Sequence, residues 1–71
     1  MIISKEQREV LARLLPDEHE QLVEKDDVAV VLDVLDDLYL ELLDDEQEPT
    51  PESRECERLR DSIHFDNYHK A

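Results

Sequence analysis

The chain has no glycine and no tryptophan, one cysteine, and only three aromatic side chains, Tyr39, Phe65 and Tyr68. The missing glycine excludes a good deal of chemistry. Phosphate-cradling loops, dinucleotide fingerprints, EF-hand loops and tight hairpins all use glycine where a side chain would clash or a positive φ is needed. The single thiol, Cys56, cannot form an internal disulfide, so 71 residues, near the lower limit for a self-sufficient core, must fold without a covalent staple. Long apolar runs are also absent. The longest uncharged one covers residues 28–32, far short of the roughly 20 residues of a membrane span. The start, MIISKEQREV, lacks the basic and apolar regions of a secretory signal. With the lone thiol, this gives the expectation of a cytoplasmic protein away from membranes.

Positive charge is scarce where negative charge is dense. The formal net charge is −13, which argues against direct binding of nucleic acid or anionic membranes. Between Lys25 and Arg54 lie eleven acids and no base, while the remaining segments carry ten acids and eight bases. One central element therefore holds nearly all of the excess.

Hydrophobic spacing places that element in an all-α fold: a small helical bundle of three main helices, with a short fourth as an option, in a single domain over residues 1–71. Ser4 and Gln7 have the spacing of a capping box, opening a helix with Val10, Leu11 and Leu14 on one side. Pro16 should end it at Leu15. Proline suits a first helical turn, so residues 16–25 form the optional short helix, with Leu22 and Val23 inward. Asp26 or Asp27 caps the main helix. In it Val28, Val31, Leu32, Leu35, Leu38, Tyr39, Leu42 and Leu43 share one broad sector at 100° per residue. The Val-rich start has strand propensity, which the sustained helical period outweighs. A linker near residues 46–50 follows, and Thr50-Pro51-Glu52 is a good helix start. The last helix aligns Cys56, Leu59 and Ile63, with Phe65 expected to dock on the core and Tyr68 left open. Glu55–Arg58 and Glu57–Arg60 have the spacing of helical ion pairs.

Two sets of residues stand out on the central helix. Asp33, Asp37, Glu41 and Asp44 form an acidic stripe opposite the apolar sector. A solvated back explains polarity but not uniform sign, because soluble surfaces ordinarily mix both signs. The stripe is a candidate face for a basic protein partner, or a mimic of the DNA phosphate row. Arg54 and Arg58, one turn apart, are candidates to neutralise part of it within the fold. Val30, Val34 and Leu40 lie outside the main apolar sector and are candidate contacts for a second helix or a second chain, which motivates a homodimer.

Chemistry is poorly supplied. Asp61-x-x-His64 is a single copy of a spacing that di-iron bundles use twice, with further glutamates. His64 and His69 are too far apart in phase to share a helix face, and one Cys cannot build a structural zinc site. Cys56 falls on the apolar stripe of its helix and is expected in the core. Ser4, Ser53 and Ser62 fit helix starts or the surface. No catalytic residue, metal site or cofactor is expected, and the chain is read as a non-enzyme.

The succession KDDVAVVLDVLDDL, an acidic linker, and TPESRECERLRDSIHFDN resembles in layout the small, acidic, all-helical proteins of unknown function carried by bacterial phages and mobile elements. The likeness covers about residues 25–67 and lies in layout, not in a signature motif. It implies an accessory protein acting by contact, an inhibitor or adaptor, and supplies no catalytic residue.

Overall fold

The computed structural model describes residues 1–68. Four helices follow in order: α1 Lys5–Leu14, α2 His19–Lys25, α3 Val28–Glu41 and α4 Pro51–Tyr68. They form a small all-α bundle, with no strand among the described residues. The optional short helix is therefore present, although it starts three residues later than expected. Pro16, Asp17 and Glu18 form a turn, in which the backbone N–H of Glu18 and of His19 both donate to the Leu15 carbonyl.

Local chemistry sets each boundary. The Ser4 hydroxyl accepts the Gln7 N–H at 3.1 Å, and the Gln7 side chain returns a bond to the Ser4 N–H at 2.8 Å, completing the capping box. α2 ends on Asp26, which adopts φ 56°. That left-handed position usually falls to glycine, and aspartate is among the side chains that tolerate it. Asp27 then caps α3 by accepting the Ala29 N–H at 3.0 Å.

α3 stops earlier than the apolar period suggests. Leu42 is its C-cap, and Leu43 and Asp44 lie outside the helix. The Asp44 carboxylate accepts the backbone N–H of Glu46 at 2.9 Å and of Glu48 at 2.8 Å. This offers the chain a local turn in place of another helical turn. A helix C-terminus also disfavours the acids that follow. The loop closes on Thr50, whose hydroxyl donates to the Leu42 carbonyl at 2.7 Å and accepts the Ser53 N–H at 3.1 Å. One side chain thus satisfies an orphan carbonyl of α3 and an orphan N–H of α4.

The core holds Leu11, Leu22, Val31, Leu32, Leu35, Cys56, Leu59 and Ile63, all buried. α3 and α4 form its main seam, where the Cys56 thiol donates to the Leu35 carbonyl at 3.2 Å. Two polar residues are buried with them. Ser53, read as a helix-start or surface residue, lies in the first turn of α4 and is fully enclosed, bonding to both the N–H and the carbonyl of Thr50. Gln7 reaches across from α1 to the Ser62 hydroxyl at 3.1 Å and the Asp66 carboxylate at 2.9 Å. Asn67 clamps the extended N-terminal segment: its side chain accepts the Ile2 N–H at 2.7 Å and donates to the Ile2 carbonyl at 2.8 Å.

Candidate functional site: the outward face of α3

Burying Val31, Leu32 and Leu35 fixes the rotation of α3. The opposite side carries Asp33, Asp36, Asp37, Leu40 and Glu41, all exposed. Three members of the predicted stripe, Asp33, Asp37 and Glu41, are thus brought together as expected. Successive four-residue steps of an α-helix put them about 6 Å apart along the axis. None of the three makes an ion pair or a side-chain hydrogen bond among the described residues.

Asp44 does not belong to this row. Both of its backbone acceptances are turn contacts, and its position beyond the end of α3 removes it from the helical phase. The sequence pattern carried the stripe one step too far because the i, i+11 spacing is blind to where a helix stops.

The three apolar candidates also separate. Val30 and Val34 are half-buried and pack against the core cluster, so this chain covers them to a large extent. Leu40 is 65% exposed. It stands one turn beyond Asp36 and Asp37 on the same side, an aliphatic side chain within a field of carboxylates.

Compensation from α4 is narrow. Arg60, and not Arg54 or Arg58, reaches α3: its Nε donates to the Asp36 carboxylate at 3.0 Å, and its Nη1 lies 3.6 Å from Asp61. Arg54 and Arg58 turn away from α3 and, with Pro49, Thr50, Pro51 and Glu55, line an open groove of about 530 Å³. Glu55 pairs with Arg13 of α1 at 2.7 Å. The expected Glu55–Arg58 and Glu57–Arg60 pairs are not among the ion pairs of the described residues, because Glu55 and Arg60 are engaged with other helices.

The remaining candidates divide between core and surface. Burial pushes the Cys56 thiol up to about 11, with a smaller contribution from the Asp36 carboxylate. At neutral pH it is a protonated core group and a poor nucleophile. His64 is exposed and packs on Tyr68, with ring centroids 5.0 Å apart. His69 lies outside the described residues. No group of three or more potential metal ligands occurs among the described residues. Phe65, expected to dock on the core, is 56% exposed, since it falls on the solvent side of α4, away from Cys56, Leu59 and Ile63. No described helix is long and apolar enough to cross a membrane.

Sequence reasoning missed Gln7 and Asn67 as tertiary bonding residues. A polar residue in phase with the apolar positions, as Gln7 is with Val10, Leu11 and Leu14, was the available signal. It also missed the groove between α1 and α2, lined by residues of two short elements whose relative placement no local pattern encodes. No family model, curated protein or solved structure matches the chain.

Proposed function

We propose that this is a small, non-enzymatic interaction module that uses the outward face of α3 to hold a basic protein partner, acting in the cytoplasm as an accessory protein. The observation that carries the proposal is the combination of three carboxylates, Asp33, Asp37 and Glu41, that are unpaired among the described residues, with the exposed Leu40 among them. Like charges one turn apart repel, costing about 0.2–0.5 kcal/mol for each pair. A basic partner relieves that repulsion, and its approach is accelerated by the field of a chain at −13. Leu40 supplies the apolar contact that charge alone lacks.

DNA mimicry by the same face is the second reading. It is favoured by the absence of any base between Lys25 and Arg54. Charge density weighs against it: the row offers one carboxylate per about 6 Å, whereas each DNA strand offers one phosphate per about 3.4 Å of axis. A homodimer through α3 now rests on Leu40, since Val30 and Val34 are largely covered within the chain. A foreign basic protein is the better occupant because a second copy brings the same charge.

The test is affinity capture with the native chain beside Asp33→Asn/Asp37→Asn/Glu41→Gln, with Asp44 kept to preserve the loop. The native chain should retain a basic protein that the neutralised variant loses, and added salt should weaken the capture. Capture that survives neutralisation and is indifferent to salt eliminates both the basic-partner and the mimicry readings.

A further inference from the structure

We propose that residues 1–3 form a redox-sensitive strap, which a hydroperoxide unfastens from the bundle by oxidising the Met1 thioether. The segment precedes α1, has no helical structure, and joins two corners of the fold that are distant in sequence. At one corner Asn67, in the last turn of α4, grips both backbone groups of Ile2. Its side chain accepts the Ile2 N–H at 2.7 Å and donates to the Ile2 carbonyl at 2.8 Å. At the other corner the Met1 amino group pairs with the Asp26 carboxylate, where α2 turns into α3. Side chains along the strap alternate as in any extended chain. The Met1 side chain is 1% exposed and Ile3 is half-buried, both packed on the core, while Ile2 faces solvent.

These fastenings are unequal. The Asp26 carboxylate is exposed, and an ion pair to such a group contributes little in water. Short terminal segments open at low free energy while the rest of a fold stays intact. The enclosed Met1 side chain, the only methionine of the chain, is therefore a main hold. Its sulfur is shielded in the closed strap and reachable in the open one. There the peroxide O–O bond breaks and an S–O bond forms. The thioether is oxidised to the sulfoxide, and the hydroperoxide is reduced to its alcohol, or to water from hydrogen peroxide. A polar sulfoxide cannot regain an apolar seat without losing its hydration, so oxidation traps the open form. Two thiols reverse the step, forming a disulfide and releasing the oxygen as water. The second sulfur of the chain, Cys56, is fully buried in the α3–α4 seam, which keeps it from the same oxidant. The strap is separate from the α3 face, and its failure leaves the proposed function untouched.

The experiment treats the full chain with hydrogen peroxide, with N-acetylmethionine amide in the same tube as an unprotected reference. Peptide mass mapping follows the oxygen added at Met1, and methyl NMR follows Ile3. Met1 in the native chain should oxidise more slowly than the reference. Asn67→Ala, which releases the grip on Ile2, should speed it roughly tenfold, the scale of one or two net hydrogen bonds. Once Met1 is oxidised, the Ile3 methyl signals should move to solvent-exposed positions, and enzymatic reduction of the sulfoxide should restore them. A chain made with norleucine in place of methionine keeps the apolar side chain without the sulfur, and its Ile3 signals should ignore peroxide. Three results overturn the proposal: native Met1 oxidising as fast as the reference, Ile3 signals unmoved by the sulfoxide, or an equal loss of those signals in the norleucine chain, which would place the sensitivity at Cys56.

Discussion

α3 and α4 pack against each other along the main seam of the bundle, yet they are built on opposite principles. α3 is apolar over much of its circumference, carries no base, and has neither a basic residue in its last turn nor a compensating acid in its first. α4 is largely polar and buries only a narrow stripe of Ser53, Cys56, Leu59 and Ile63. Its charges are of both signs, and its arginine at position 60 supplies the α3 face with its one ion pair among the described residues, to Asp36. The contrast separates two roles that a small bundle must divide. α3 contributes buried volume, and α4 contributes polar fastening and charge balance.

Removing volume from α3 should therefore have the largest effect. Leu35 is fully buried at the seam, and Leu35→Ala should cost about 2–5 kcal/mol through lost transfer energy and the cavity left behind. A chain of this size has roughly 4–10 kcal/mol in total, so the variant is expected to be marginal or unfolded at room temperature. Leu40→Ala on the outer side of the same helix should stay within about 0.5 kcal/mol. Urea denaturation of the pair checks this. Equal costs would mean that α3 is rotated differently from the orientation described.

The next effect sits where the two helices meet. The Cys56 thiol donates to the Leu35 carbonyl and is pushed up to about 11 from 9.0, first by burial and then by the Asp36 carboxylate. The folded state thus holds the thiol proton more tightly than the unfolded state. Its contribution is fully present below pH 9.0 and is lost as pH rises through about 11. Denaturant midpoints at about pH 8 and about pH 10.5 should fall further for the native chain than for Cys56→Ala, which has no thiol to ionise. Parallel falls would show that the seam does not suppress ionisation.

How far the sequence discloses this arrangement differs between the two helices. α3 was legible because Val31, Leu32 and Leu35 repeat with the helical period and the acids fall opposite them. Its end was not, because Leu42, Leu43 and Asp44 continue the pattern while the Asp44 carboxylate closes a turn instead. In α4 the cap at Thr50 and the Cys56–Leu59–Ile63 stripe could be read directly. The fate of its arginines could not. Arg54, Arg58 and Arg60 are equivalent by composition, and only the packing angle against α3 decides that Arg60 reaches Asp36. Phe65 misled for a related reason: an aromatic residue invites burial, but its phase on α4 faces solvent. On the candidate face, Asp33, Asp37, Glu41 and Leu40 were found from periodicity alone. Val30 and Val34 were flagged because one helix in isolation shows no neighbour to cover them.

The smallest effect bears most directly on why the two helices differ in charge. Asp37 lies one turn from Asp33 and one turn from Glu41, so Asp37→Lys converts two repulsive spacings into two attractive ones. Removing a repulsion and adding an attraction are each worth about 0.2–0.5 kcal/mol at low ionic strength, so each conversion is worth about 0.4–1 kcal/mol. The fold should therefore gain about 0.8–2 kcal/mol, and less at physiological salt, where the Debye length is about 8 Å. The matching substitution on α4, Glu57→Lys, should lose stability instead, because Arg54 and Arg60 stand one turn to either side of it and only Asp61 offers a new attraction. Thermal melts at two salt concentrations measure both. A stabilised Asp37→Lys chain that no longer captures its basic partner would show that α3 keeps its uniform sign at a cost to folding, as expected of a surface retained for contact. If stability does not change, the carboxylates are already compensated by solvent and ions. The acidic face would then be no more strained than the mixed surface of α4, and repulsion could not be the reason that it needs a partner.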